Sequence, residues 1–102
     1  MIIRRAARRD IARHFGWLAS EAGADIAERF MSAADSAFVE LSHNPSLGPA
    51  VGSLNPKLAQ LRKWRIDGFP RVNTFYIPTE DAIRVLRVLH TAQDWWAMLD
   101  IE

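Results

Sequence analysis

The chain contains no cysteine and no apolar run approaching the length of a membrane span. Without cysteine, disulfides and thiolate metal sites are excluded, which is compatible with a reducing cytoplasm. A membrane-spanning helix needs roughly 18 or more consecutive apolar residues, and none occurs. The opening Met1-Ile2-Ile3-Arg4-Arg5 reaches charge too soon for a secretory leader, so a cytoplasmic protein without membrane association is expected. His14, His43 and His90 show neither a paired ligand spacing nor an HExxH pattern. Phosphate-binding glycine loops and the GxSxG nucleophile motif are also missing. These absences predict no metal, no cofactor and no small-molecule substrate.

What is present fits one small globular domain spanning 1–102, with 49% hydrophobic and 25% charged residues. A chain of this size buries roughly 60–68% of its unfolded surface, so one core forms without staples. The net charge of +1 hides blocks of opposite sign. Arg4, Arg5, Arg8, Arg9 and Arg13 crowd the start. Glu21, Asp25, Glu28, Asp35 and Glu40 follow, with Arg29 alone against them. Lys57, Arg62, Lys63, Arg65 and Arg71 then face only Asp67. Such blocks produce either a polarised surface able to meet an acidic partner, or basic strands and acidic helices that neutralise each other within the domain.

The hydrophobic periods predict an α+β fold of order β-α-α-β-β-β. Ile2 and Ile3 open a first strand of about four residues. Ala7, Ile11, His14 and Leu18 recur at helical spacing, and Gly23 is placed to stop that helix. Ile26, Phe30, Ala33, Ala37 and Leu41 form a second apolar stripe, with Asp25 and Glu28 resembling a capping box. Asn44-Pro45 ends it. Two helices joined so closely read as an antiparallel hairpin. Residues 44–57 are rich in proline and glycine and form a loop. Three strands follow, at approximately Leu61–Ile66, Arg71–Ile77 and Ile83–His90, with Asp67-Gly68 turning between the first two. Connections this short make them antiparallel. In the last strand Ile83, Val85 and Leu89 share one parity and Leu86 and Val88 the other, as in a central strand covered on both faces. Gln93–Leu99 is expected to add a short helical turn.

Few residues offer chemistry. His14 lies on an apolar face and reads as a packed or rim histidine. His43 sits in a last helical turn, where a cation complements the dipole. Arg87 reads as the partner of a helix carboxylate, with Asp10 the candidate. His90 ends the last strand near Arg84 and Arg71, and either caps the following turn with Asp94 or serves as an acid or base for RNA cleavage. Trp95 and Trp96 cover the core or form a docking surface.

Several pieces, in order along nearly the whole chain, resemble the toxins of the ParE/RelE superfamily, on its ParE side. They are Ala7-x-x-Asp10-Ile11, Ala27-x-x-Phe30, Leu41-x-x-Asn44-Pro45-x-x-Gly48, Leu61-Arg62, Gly68-Phe69-Pro70-Arg71, Phe75-Tyr76 and the run from Ile83 to His90. The resemblance implies a helical hairpin packed on a small antiparallel sheet. It also implies the toxin of a type II toxin–antitoxin (plasmid-stabilisation) module, which inhibits DNA gyrase by direct binding without turnover and is neutralised by a ParD-like antitoxin. The alternatives within the superfamily are a ribosome-dependent mRNA endoribonuclease of RelE type, for which His90, Arg71 and Lys63 are the positional candidates, and a degenerate member without toxicity. For target or antitoxin binding the candidates are Arg62, Arg65, Arg71, Arg84 and Trp95. An acidic, largely disordered antitoxin tail is expected to lay a helix in an apolar groove rimmed by Arg62, Arg65 or Arg84.

Overall fold

A computed structural model describes residues 1–80, 82–93 and 98–99. Within them the order is β1 (Ile2–Ile3), α1 (Arg5–Glu21), α2 (Ala24–His43), a 3-10 turn (Pro56–Leu58), β2 (Arg62–Ile66), β3 (Phe69–Thr79) and β4 (Ala82–His90). The expected β-α-α-β-β-β order is the observed one.

The hairpin forms where the apolar period placed it. In α2, Ala27, Phe30, Ala34, Ala37, Phe38 and Leu41 are buried, giving the helix one continuous inner face. The residues joining the helices are few because Gly23 adopts φ 102°, a conformation glycine takes without steric cost. Gly23 is itself the residue capping α2, and no side chain bonds the exposed N–H groups there. The capping box expected from Asp25 and Glu28 is therefore not formed. Asp25 instead lies in the first turn, where its charge still suits the positive end of the helix dipole.

The four strands lie in the order β1-β4-β3-β2. β2, β3 and β4 make the expected antiparallel meander, and β1 joins it parallel to β4 through Ile2–Arg84 and Ile3–Val85. The sheet is thus mixed. β1 is shorter than expected because Arg4, whose N–H donates to Val85 O at 3.0 Å, is already the residue preceding α1. At the opposite margin the 44–57 loop lies along β2. Val51 N–H donates to Leu61 O, Lys63 N–H donates to Pro49 O, and Ala50 bridges Arg62.

Two irregularities shape the sheet. Between the pairs Arg65–Asn73 and Ile66–Phe69 the register jumps, so Pro70, Arg71 and Val72 have no partner on β2. Pro70 has no N–H to offer a ladder, which suits that excursion. In β4, Phe75 pairs with Arg87 but Tyr76 pairs with Val85, leaving Leu86 as an extra residue. That bulge corrects the parity expected from the sequence. Ile83, Val85 and Val88 join the large cluster with Phe30, Phe38, Leu41 and Tyr76, whereas Leu86 and Leu89 join Leu58, Leu61, Phe75 and Leu99 in a smaller one. A strict alternation of two would have placed Leu89 with Val85. The expectation of a β4 covered on both faces holds. Each fully buried Leu or Phe stabilises the domain by roughly 1.5–3 kcal/mol.

One ion pair links the layers among the described residues. Arg87 donates from Nε to Asp10 Oδ2 at 2.7 Å and from a terminal nitrogen to Oδ1 at 2.9 Å. This is the Asp10 partnership read from the sequence. The acids of α2 stay exposed, so the domain does not neutralise its charge blocks internally by contact among the described residues. Of the expected turn at Gln93–Leu99, residues 94–97 lie outside the described residues, while Met98 and Leu99 are helical and Leu99 is buried in the smaller cluster.

Candidate functional site

Of the concave regions against the hairpin, two hold residues singled out from the sequence for binding or chemistry. The first is a groove of 600 Å³ between α2 and the free end of β2, walled by Ser32, Ala33, Ser36 and Ala37 on the helix and by Trp64 and Arg65 on the strand. Small side chains on that stretch of α2 create the space, since nothing there fills the gap to β2. Its rim is mixed in charge, because Glu40 and Asp67 share it with Arg65. Of Arg62, Arg65 and Arg84, the arginines expected to rim an antitoxin groove, only Arg65 lines this one.

The second is a 300 Å³ pocket at the end of α1, lined by His14, Trp17, Phe69, Arg71, Val72 and His90 among others. The β3 excursion opposite β2 presents Pro70 and Arg71 to it, and pairing of Val72 with His90 brings the two strands' functional side chains together. The proton positions of the two imidazoles follow from their partners. His14 Nε2 lies 2.9 Å from Val88 O, and a carbonyl only accepts, so Nε2 carries the hydrogen. His14 is also edge-on to Phe30 at 5.7 Å, a packed rim histidine as read. His90 Nδ1 accepts from Ala92 N–H at 3.0 Å, so its hydrogen sits on Nε2. With Gln93 Oε1 accepting from the His90 N–H at 2.7 Å, His90 organises the turn after β4, as its capping reading required. Asp94 lies outside the described residues.

The proposed binding arginines have separate fates. Arg62 is turned inward and donates to Gly48 O at 2.6 Å and Ser46 O at 3.2 Å. It fastens the loop. Arg65 is exposed on the groove, Arg71 is exposed on the pocket, and Arg84 is exposed on β4 opposite Ile2. Trp95 lies outside the described residues. Of the nuclease candidates, His90 and Arg71 share the pocket, whereas Lys63 pairs with Phe75 and does not line it. Among the described residues, no cluster of three or more His, Cys, Asp or Glu side chains assembles, and no helix is long and apolar enough to cross a membrane.

Sequence reasoning missed the cluster that anchors the loop. The buried Tyr76 hydroxyl donates to Pro45 O at 2.7 Å and accepts from Gly48 N–H at 2.9 Å. Burial pushes the phenol's pKa up, partly offset by the Gly48 bond and by the Arg62 charge. A side chain at Gly48 would run into Lys63 O and the Tyr76 ring, so only glycine fits this close approach. The signal available in the sequence was the pairing of Asn44-Pro45-x-x-Gly48 with an aromatic in the sheet, but nothing in spacing alone says which strand meets the loop. His43, by contrast, caps α2 as read, with its Nδ1 donating to Val39 O at 3.0 Å.

No curated protein sequence matches the chain. Among solved structures, one described as the chromosomal ParDE TA system from P. aeruginosa has the same fold, with a TM-score of 0.69 over 88% of this chain and 95% of that one, at 15% identity. The family model described as the ParE toxin of the type II toxin–antitoxin system parDE matches residues 1–95. The chain therefore belongs to the ParE toxin family.

Proposed function

We propose that this ParE-family toxin acts by binding DNA gyrase directly, without turnover, and is held inactive by a ParD-like antitoxin. The observation carrying the reading is the family match over residues 1–95, supported by the fold shared with a chain from a ParDE system. The groove between α2 and β2 suits an antitoxin helix: its 600 Å³ accepts side chains, its wall of alanine and serine allows close approach, and Trp64 supplies an apolar floor. The mixed rim asks for an acid opposite Arg65 and a polar or basic residue opposite Glu40 and Asp67. The test is gyrase supercoiling and DNA cleavage with the purified toxin, with and without the antitoxin encoded in the neighbouring reading frame. Inhibition relieved by that antitoxin supports the reading. Growth arrest at concentrations that leave gyrase untouched rejects the target, and harmless expression alone identifies a degenerate member.

A second reading, ribosome-dependent cleavage of mRNA, is favoured by one observation, the meeting of His90 and Arg71 in the pocket. Under it, His90→Ala lowers cleavage about 100-fold or more with the fold intact. Intact messages after induction reject it.

A further inference from the structure

Arg5, Arg9, Arg13 and Trp17 recur every four residues on α1, so they form one ridge along the helix with a rise of about 6 Å per step. All four are exposed, Trp17 to 64%. Among the described residues none accepts a hydrogen bond or an ion pair from the three arginines. The first turn of α1 contains no acid, so Arg5 also sits uncompensated at the positive end of the helix dipole. Like charges four residues apart repel as well. A polyanion relieves all of these unfavourable terms together. The space beside the ridge is open: a methyl group added at Gly16 would touch nothing within 4 Å. At its far end Trp17 forms part of the wall of the 300 Å³ pocket, next to Arg71 and His90.

We propose that this ridge and pocket form a binding site for single-stranded nucleic acid. Arg5, Arg9 and Arg13 meet successive phosphates, and Trp17 stacks on a base. The pocket takes an unstacked base between apolar walls, with His90 Nε2–H and the Arg71 guanidinium as donors to its polar edge or adjoining phosphate. A cationic track ending in an aromatic platform is how single strands are held without sequence preference. An acidic protein partner fits less well, because the arginine ridge lacks the apolar centre that gives protein interfaces their affinity. A duplex fits less well because its bases are already stacked and offer neither Trp17 nor the pocket a free face. The inference stands apart from the gyrase reading, since its readout requires neither gyrase nor antitoxin.

The test is fluorescence anisotropy of the full-length protein with a labelled deoxythymidine oligonucleotide of about 12 residues, matching known single-strand site sizes. Three phosphate contacts predict that affinity falls about 20-fold between roughly 50 and 200 mM salt. Replacing Arg5, Arg9 and Arg13 with Gln removes most of that dependence. Trp17→Ala weakens binding about 10-fold while leaving the salt slope unchanged, and Trp17→Phe restores much of the loss. All four positions are exposed, and thermal melts of each variant establish that the fold is retained. Absence of binding at the lower salt overturns the proposal. So does a matched duplex binding as tightly as the single strand, or polyglutamate displacing the oligonucleotide equally well charge for charge, which would identify the ridge as a docking site for an acidic protein.

Discussion

Asp10 and His14, one turn apart on α1, together hold both backbone polar groups of Val88: the Val88 N–H donates to Asp10 Oδ2 at 2.9 Å, and His14 Nε2 donates to Val88 O at 2.9 Å. β1 ends at Ile3, so this stretch of β4 has no neighbouring strand on that side. Two helix side chains stand in for the missing strand, and buried backbone groups that would otherwise lack partners are satisfied.

Asp10→Ala is expected to destabilise the domain by about 3–5 kcal/mol, because it takes the paired carboxylate from the largely buried Arg87 guanidinium as well as the acceptor from the Val88 N–H. Urea denaturation measures it. Adding Arg87→Met should recover a substantial part of the loss, since an apolar side chain needs no carboxylate. A cost below about 1 kcal/mol for Asp10→Ala would contradict the role assigned to the pair.

Arg62 and Arg65 lie three residues apart on β2, yet should behave differently. Arg62→Ala removes two charge-assisted bonds to the loop carbonyls and should cost about 1.5–3 kcal/mol. Arg65→Ala, on the exposed groove rim, should stay within about 0.5 kcal/mol. Equal melting curves for the two variants would refute this division of roles, and an effect on antitoxin binding is expected chiefly from Arg65.

Tyr76→Phe leaves the buried Gly48 N–H without its acceptor, an expected loss of about 1–3 kcal/mol. Gly48→Ala forces a methyl into the Lys63 carbonyl and the Tyr76 ring, with a similar or larger cost. If the loop tolerates both changes with unchanged stability in denaturant, it is not anchored through this contact.

The chain's one tyrosine gives a clean pH signal. Tyr76 has its pKa raised above the ordinary 10.0, chiefly by burial. A raised folded pKa favours the neutral phenol, so its contribution to stability is complete below about pH 10 and is lost as pH climbs through the folded value. Phenolate absorbance should appear above the normal range in the native protein and return to it in denaturant. Ionisation at the ordinary value in the folded state would place the hydroxyl in solvent.

The elements were legible because their signals are local. The 3.6-residue stripe through Phe30, Ala37 and Leu41 and the Asp67-Gly68 turn needed nothing beyond their own segments. Asp10–Arg87 was legible because a cation among apolar strand residues demands an acid from the packed helix. The side of Leu89 was not, because one extra residue at Leu86 reverses parity and nothing in an all-apolar run marks where it falls. The loop contact of Arg62 was not legible for a related reason: charge in a sequence does not say whether a loop will fold back to meet it. A groove was expected, but its place on α2 was not legible, because small residues read as close packing, yet here part of their face has no neighbour.

The bulge in β4 has a thermodynamic consequence. Because Leu86 and Leu89 face one way while Val85 and Val88 face the other, a single strand is shared by both apolar clusters. Neither cluster melts without loosening the strand that holds the other, so the two behave as one cooperative unit. Heating should give coincident transitions for tryptophan fluorescence and for backbone circular dichroism. A damaging substitution at Leu58, far from the helices, should lower the melting temperature of the hairpin as much as that of the sheet.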